Sequence, residues 1–235
     1  MTETGTTETG TTGTSAAGTS AAGADGTPRA RLARRYLEVN GEHPMTEADD
    51  AYVDRHFAPL EPLCARHGLD PDEVRGHMLA GRLPLPGYLR SDGTEMVAPD
   101  LLELVDEAGG LAKLPDWFRG HWTDREEGAE EYESYLSGQN VCLHRLHPVT
   151  MRRKAELVRD ITEALGRPAT AGPSEQQQPD LAALATPPAL TTLHALVDEL
   201  DALEPPFTAY DRLRFGGPVS RDTCIDAVRR DHPLD

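Results

Sequence analysis

Apolar residues recur at helical spacing along this chain, and a proline or glycine ends each run after a few turns. That pattern leaves room for short helices packed on one another and for little else. Thr46 with Asp49 fits a capping box, and Val53, Phe57, Leu60 and Cys64 follow at helical spacing. Pro59 and Pro62 should break that run near Ala58. Asp70 is placed to cap a helix that Pro71 opens and Gly81 stops. Further helices are expected from Pro99 onward, with Leu101, Leu104, Val105 and Ala108 inward, and from Pro115 to Trp122. Others are expected from Asp124 to Leu136, with Ala129, Tyr132 and Leu136 inward, from Met151 to Leu165, and around Leu193, Leu196, Val197, Leu200 and Leu203. Arg29 to Val39 reads as a short basic helix and Asn140 to Leu143 as a short extended piece.

One stretch reads as a hairpin. Tyr88-Leu89-Arg90 and Thr94 to Val97 flank Ser91-Asp92-Gly93, a good tight turn. The expected fold class is therefore mainly α: a helical domain with one small β-hairpin and a disordered N-terminal tail. Residues 1–27 repeat Thr, Gly, Ser, Ala and Glu and have almost no apolar surface to offset the entropy of ordering them. Residues 28–167 form the expected helical domain, 168–180 a linker or surface loop, and 181–235 a C-terminal helical segment packed on the main domain.

Charge narrows the function. The formal net charge is −17, and Glu95 to Ser137 carries twelve acidic and three basic residues. Nucleic acid and anionic membranes need a basic face, so both are disfavoured as partners. No apolar run approaches the length of a membrane span, and the first residues lack the basic and apolar regions of a secretory signal. Cys64, Cys142 and Cys224 are an odd, sparse set that indicates no disulfide framework, and the cytoplasm is the expected location.

The densest chemistry lies in the run from Pro205 to Arg230. Gly216 and Gly217 permit close backbone approach, and Ser220 is a good N-cap for a helix running to about Arg230, with Ile225 and Val228 inward. Arg212 and Arg214 alternate with Leu213 and Phe215, as in an extended segment that would put both guanidinium groups on one face. Tyr210, Arg212, Arg214, Gly216, Gly217, Ser220 and Arg221 are thus the candidate ligand-binding residues, for a carboxylate or phosphate held by bidentate hydrogen bonds. The same residues allow a structural reading, in which Asp211 and Asp222 pair with the arginines and lock a turn.

The segments FxxYDRLRFGGPVSRD, GYLRSDGTEMVAPD and YLSGQNVCL resemble an uncharacterised bacterial family of unknown function, over roughly Thr46 to Pro233. That resemblance implies no activity, cofactor or catalytic residue. The order helix, tight turn, helix, hairpin, helix from Leu60 to Leu102 is also similar to the winged helix-turn-helix of mercury-resistance-type regulators and phage excisionases. That resemblance implies a second helix in the major groove and a wing on the backbone, with Val74 and Met78 in the core and Arg75, His77 and Arg90 available to DNA. Asp70, Asp72 and Glu73 at the groove-facing end oppose such a role.

Weaker signals complete the set. Cys142, His144 and His147 have ligand chemistry but supply only three of the four ligands of a structural zinc site. Cys224, at the expected helix start beside arginines, is the candidate catalytic nucleophile. Phosphate-binding glycine loop, nucleophile elbow and metalloprotease signature are all lacking, and no residue pattern names a cofactor or an oligomeric state. The leading expectation is a cytosolic binding or accessory protein that holds a small anion. The alternatives are a winged-helix regulator and an enzyme of unrecognised type.

Overall fold

The computed structural model describes residues 1–2, 26–166 and 187–234. Most of the expected tail and the whole of the expected linker lie outside the described residues. The fold is mainly α with one small antiparallel sheet.

Helix α1 (Pro28–Asn40) starts on Thr27, whose side chain accepts from the Ala30 N–H, and buries Leu32 and Tyr36. Helix α2 (Glu47–His56) carries the expected capping box between Thr46 and Asp49. The proline break falls where the sequence placed it. Strand β1 (Ala58–Pro59) separates α2 from α3 (Leu60–His67). Asp70 caps α4 (Pro71–Leu79). Strands β2 (Tyr88–Leu89) and β3 (Glu95–Val97) form the expected hairpin, and the Arg90 N–H donates to the Thr94 carbonyl across its turn. The sheet order is β1-β3-β2, with Tyr88 opposite Met96 and Ala58 opposite Val97. Strand β1 is not legible in the sequence, because two residues ending in proline show no alternation.

Helices α5 (Leu101–Glu107), α6 (Leu114–Arg119) and α7 (Arg125–Leu136) follow. The inward face of α7 is Gly128, Tyr132 and Tyr135, while Ala129 and Leu136 are half-buried. Aromatic packing sets that rotation: the Phe118 ring lies 4.9 Å from Tyr135 and 5.3 Å from Tyr132. Residues 140–143 form a turn rather than the expected extended piece, although Val141 and Leu143 are buried.

Helix α8 (Pro148–Ala164) packs on α9 (Pro187–Leu203), and α10 (Ala209–Phe215), a π-helix (Arg221–Asp226) and α11 (Ala227–Asp231) end the chain. Three apolar clusters hold these elements. The largest joins α1 and α3 to α7. A second joins Leu157 and Ile161 of α8 to Leu193, Val197 and Leu200 of α9 and to Cys224, Ile225 and Val228. A third joins Val53, Phe57, Tyr88, Met96, Val141 and Tyr210, and so anchors α10 on α2 and the hairpin.

Candidate functional site

The C-terminal segment differs from its expected shape in two places, and both decide where its arginines point. Residues 209–215 are helical, because Thr208 and Asp211 form a second capping box. In a strand Arg212 and Arg214 would share a face; in a helix they stand about 200° apart. Ser220 does not cap a helix. It adopts a helical conformation itself, its hydroxyl is used elsewhere, and the turn after it winds as a π-helix.

The three arginines accordingly go to three places. Arg212 forks onto Asp222: Nη1 donates to Oδ2 at 2.9 Å and Nη2 to Oδ1, while the Val219 N–H donates to Oδ2 at 3.0 Å. This pair is open to solvent, with the side chains 46% and 21% exposed. Arg212 holds the Asp222 carboxyl below the usual carboxylate range. Gly217 makes the room. A β-carbon there would stand 3.0 Å from Arg212 Nη1.

Arg214 points inward. Its guanidinium carbon lies 4.8 Å from the centre of the Tyr88 ring, 4.5 Å from Phe215, 5.5 Å from Tyr36 and 5.8 Å from Tyr210. Nη2 donates to Asn40 Oδ1 at 2.8 Å, and the buried Nε and Nη1 face the rings with no protein hydrogen-bond partner. The cage is closed by Asp211, 1% exposed, which accepts from the Tyr88 hydroxyl at 2.7 Å and from Thr208. Tyr210 donates its hydroxyl to the His43 carbonyl.

Arg221 turns back onto α9. It donates to the carbonyls of Glu204 and Pro205 and pairs with Asp201 at 2.6 Å. Burial alone would raise the Asp201 carboxyl, but Arg229 and Arg221 beside it hold it below its ordinary value. Beneath Arg221 lies a polar centre. Glu204 is 3% exposed, accepts from the Ser220 hydroxyl at 2.5 Å, and pairs with Lys154 at 2.9 Å. The arginines of this segment line neither the small apolar cavity between Phe57, Leu85, Val97 and Val141 nor the open groove at Arg119 and Arg125.

The remaining candidates are placed as follows. Arg75 does not face outward. It is 3% exposed and donates to Glu95 at 2.8 Å, Glu61 at 2.6 Å and Asp72 at 2.8 Å. Three carboxylates from α3, α4 and β3 offset the burial, so the guanidinium ties those elements together. His77 is half-buried, and Arg90 is surrounded by Asp50, Asp54 and Asp92. Cys142, His144 and His147 do not converge. The His147 Nδ1 accepts from the Val149 N–H and its Nε2 faces Glu107, while the His144 ring packs 5.2 Å from His56. Among the described residues no group of three or more His, Cys, Asp or Glu side chains is placed to hold a metal ion. Cys224 is buried in the second apolar cluster, and its sulfur lies 3.6 Å from the Thr223 hydroxyl. No described helix is long and apolar enough to cross a membrane.

The whole C-terminal segment, though not every residue it packs on, falls in one matched stretch. Residues 120–233 match a family of unknown function, DUF6058. The matched stretch includes YLSGQNVCL and YDRLRFGGPVSRD but not GYLRSDGTEMVAPD, which lies before it. No curated protein and no solved structure matches the chain. The DUF6058 stretch runs from just after α6 to the end of α11, so Cys142, Lys154, Glu204, Arg212, Arg214, Ser220 and Arg221 all belong to it, while the Arg214 partners Tyr36, Asn40 and Tyr88 do not. Sequence reading missed Lys154, Glu204, Asn40 and Tyr88. The one available signal was that Glu204 immediately precedes Pro205-Pro206, where a helix must end.

Proposed function

We propose that this chain is a cytosolic binding or accessory protein that holds a small carboxylate or phosphate at the Arg212 turn, in competition with its own Asp222. One observation carries the reading. A carboxylate is already gripped there by an arginine fork and a backbone N–H, at an exposed position that glycine keeps clear. Exposed ion pairs contribute little to stability, so an external anion can displace this one at small cost. Arg214 and Arg221 are withdrawn from the site by their internal partners. The free cysteines Cys64, Cys142 and Cys224 fit a reducing compartment.

The regulator reading is the second. The order helix, β1, α3, α4, β2, β3 and the sheet order β1-β3-β2 favour it, since a winged helix pairs its first strand with the far strand of the wing. Against DNA contact stand Arg75 and Arg90, both engaged by carboxylates of the chain.

Thermal midpoints measured against inorganic phosphate, at ionic strength matched with chloride, test the first reading. Labelled duplex DNA in the same buffers tests the second. Phosphate should stabilise the wild type, and Asp222→Asn should respond at roughly tenfold lower phosphate because its fork is empty. Arg212→Ala should abolish the response in both backgrounds. No phosphate effect beyond chloride in either the wild type or Asp222→Asn would remove the anion reading, and salt-dependent duplex binding would promote the regulator.

A further inference from the structure

The open groove between α6 and α7 collects the positive charge of the most acidic part of the chain. From Pro115 to Ser137 the sequence carries seven acidic residues and only two arginines, Arg119 and Arg125, with no lysine. Both arginines line the groove, whose volume is about 340 Å³, together with Asp116, Gly120, Trp122 and Ala129. Helical spacing does the sorting. Arg125 and Ala129 stand four residues apart on one face of α7, and none of the five glutamates of that helix lines the groove. The two helices meet closely at Gly128, where a β-carbon would stand 3.0 Å from the Arg119 carbonyl oxygen and 3.3 Å from the Trp122 Cβ. That contact fixes the two arginines relative to each other.

Neither guanidinium donates a hydrogen bond to the described residues. Arg119 lies with its guanidinium carbon 5.0 Å from the centre of the Tyr132 ring. Its one carboxylate neighbour, Asp116, is 3.9 Å away and 96% exposed, so that pair holds it weakly. Arg125 is exposed and has no hydrogen-bond or ion-pair partner among the described residues. Arg75, Arg90, Arg212 and Arg221, by contrast, are each engaged by carboxylates of the chain. Beside the two free forks lies an apolar floor. Trp122 stacks on Phe118 with ring centres 5.2 Å apart, Ala129 adjoins it, and Gly120 adds no side chain.

We propose that this groove binds an aromatic phosphate monoester, with Arg119 and Arg125 on the phosphate and Trp122 and Ala129 under the ring. A phosphate monoester carries close to two negative charges and three acceptor oxygens, which two guanidinium forks can share. The groove is as large as a small-molecule site, and a bare phosphate would leave most of it in water. Stacking on an aromatic floor supplies the burial that a solvated ion pair lacks. The site shares no residue with the Arg212 turn.

The test is calorimetric titration of the full chain carrying Arg212→Ala, so that the turn contributes nothing, at ionic strength matched with chloride. The probes are phenyl phosphate and inorganic phosphate. Phenyl phosphate should bind, and inorganic phosphate should bind at least about tenfold more weakly. Arg125→Ala should weaken phenyl phosphate at least about tenfold while keeping the parent circular dichroism, since its side chain holds nothing in the fold. Asp116→Asn should bind at least as tightly as its parent. No binding of phenyl phosphate at millimolar concentration, binding no stronger than that of inorganic phosphate, or undiminished binding by folded Arg125→Ala would overturn the proposal.

Discussion

A single residue's secondary structure decides whether its charge is available. Arg212 and Arg214 are separated by one residue, and the helix of α10 sends the first to solvent and the second into a cage of four rings. Another residue-scale effect is electrostatic. Burial holds the His56 and His144 imidazoles below the ordinary histidine value of 6.5, and His144 acts against the charge on His56 as Arg221 does against that on His144. A folded value below the unfolded one means that the unfolded chain takes up the proton first as the pH falls. Their contribution to stability is complete above the unfolded value and is lost as the pH drops through the folded ones. The thermal midpoint should then be level from about pH 8 to about pH 7 and decline below about pH 6.5. His56→Gln/His144→Gln should decline less over the same interval. A double variant that falls as steeply as the wild type would show that other groups control the acid limb.

Elements were legible in the sequence where local chemistry specifies them. Thr46 with Asp49, Asp70 with Pro71, and Ser91-Asp92-Gly93 each carry their own instruction, and each forms the cap or turn it encodes. What depends on distant residues was not legible. The inward turn of Arg75 requires Glu95 and Glu61, which no local pattern links to it. The alternation Arg212-Leu213-Arg214-Phe215 suggests a strand, but the capping pair Thr208 and Asp211 just before it starts a helix instead. The site suffered most, since Lys154, Glu204 and Ser220 meet only after α8, α9 and the π-helix have packed. The end of α7 offers a prediction at this scale. Gly138 has φ +72°, and a β-carbon on it would lie 2.3 Å from the Leu85 carbonyl oxygen. Gly138→Ala must therefore move one backbone segment off another, with an expected cost of about 2–4 kcal/mol in urea unfolding. A loss within about 0.5 kcal/mol would mean that the loop after α7 does not pack on the segment before β2.

At the scale of the molecule, the C-terminal segment is a strap over the rest of the chain. Its α10 end is held on α1, α2 and the hairpin through Arg214, Tyr210 and Asp211, and its π-helical end on α8 and α9 through Arg221, Ser220 and Ile225. Of Arg212, Arg214 and Arg221, only Arg212 stands outside this strap. A chain with formal net charge −17 thus uses most of the cationic side chains of that segment internally, which is how one stretch can be both rich in arginine and poorly suited to nucleic acid. The most direct measurement is the urea midpoint of Arg212→Ala, Arg214→Ala and Arg221→Ala beside the wild type. Arg214→Ala should lose about 2–4 kcal/mol, because the guanidinium packs on several rings at once and its removal leaves a void. Arg221→Ala should lose about 1–3 kcal/mol with the buried carbonyl and Asp201 contacts. Arg212→Ala should unfold with the wild type. Equal losses at all three positions, or a larger loss at Arg212 than at Arg214, would contradict the division of the segment into a structural strap and one exchangeable arginine.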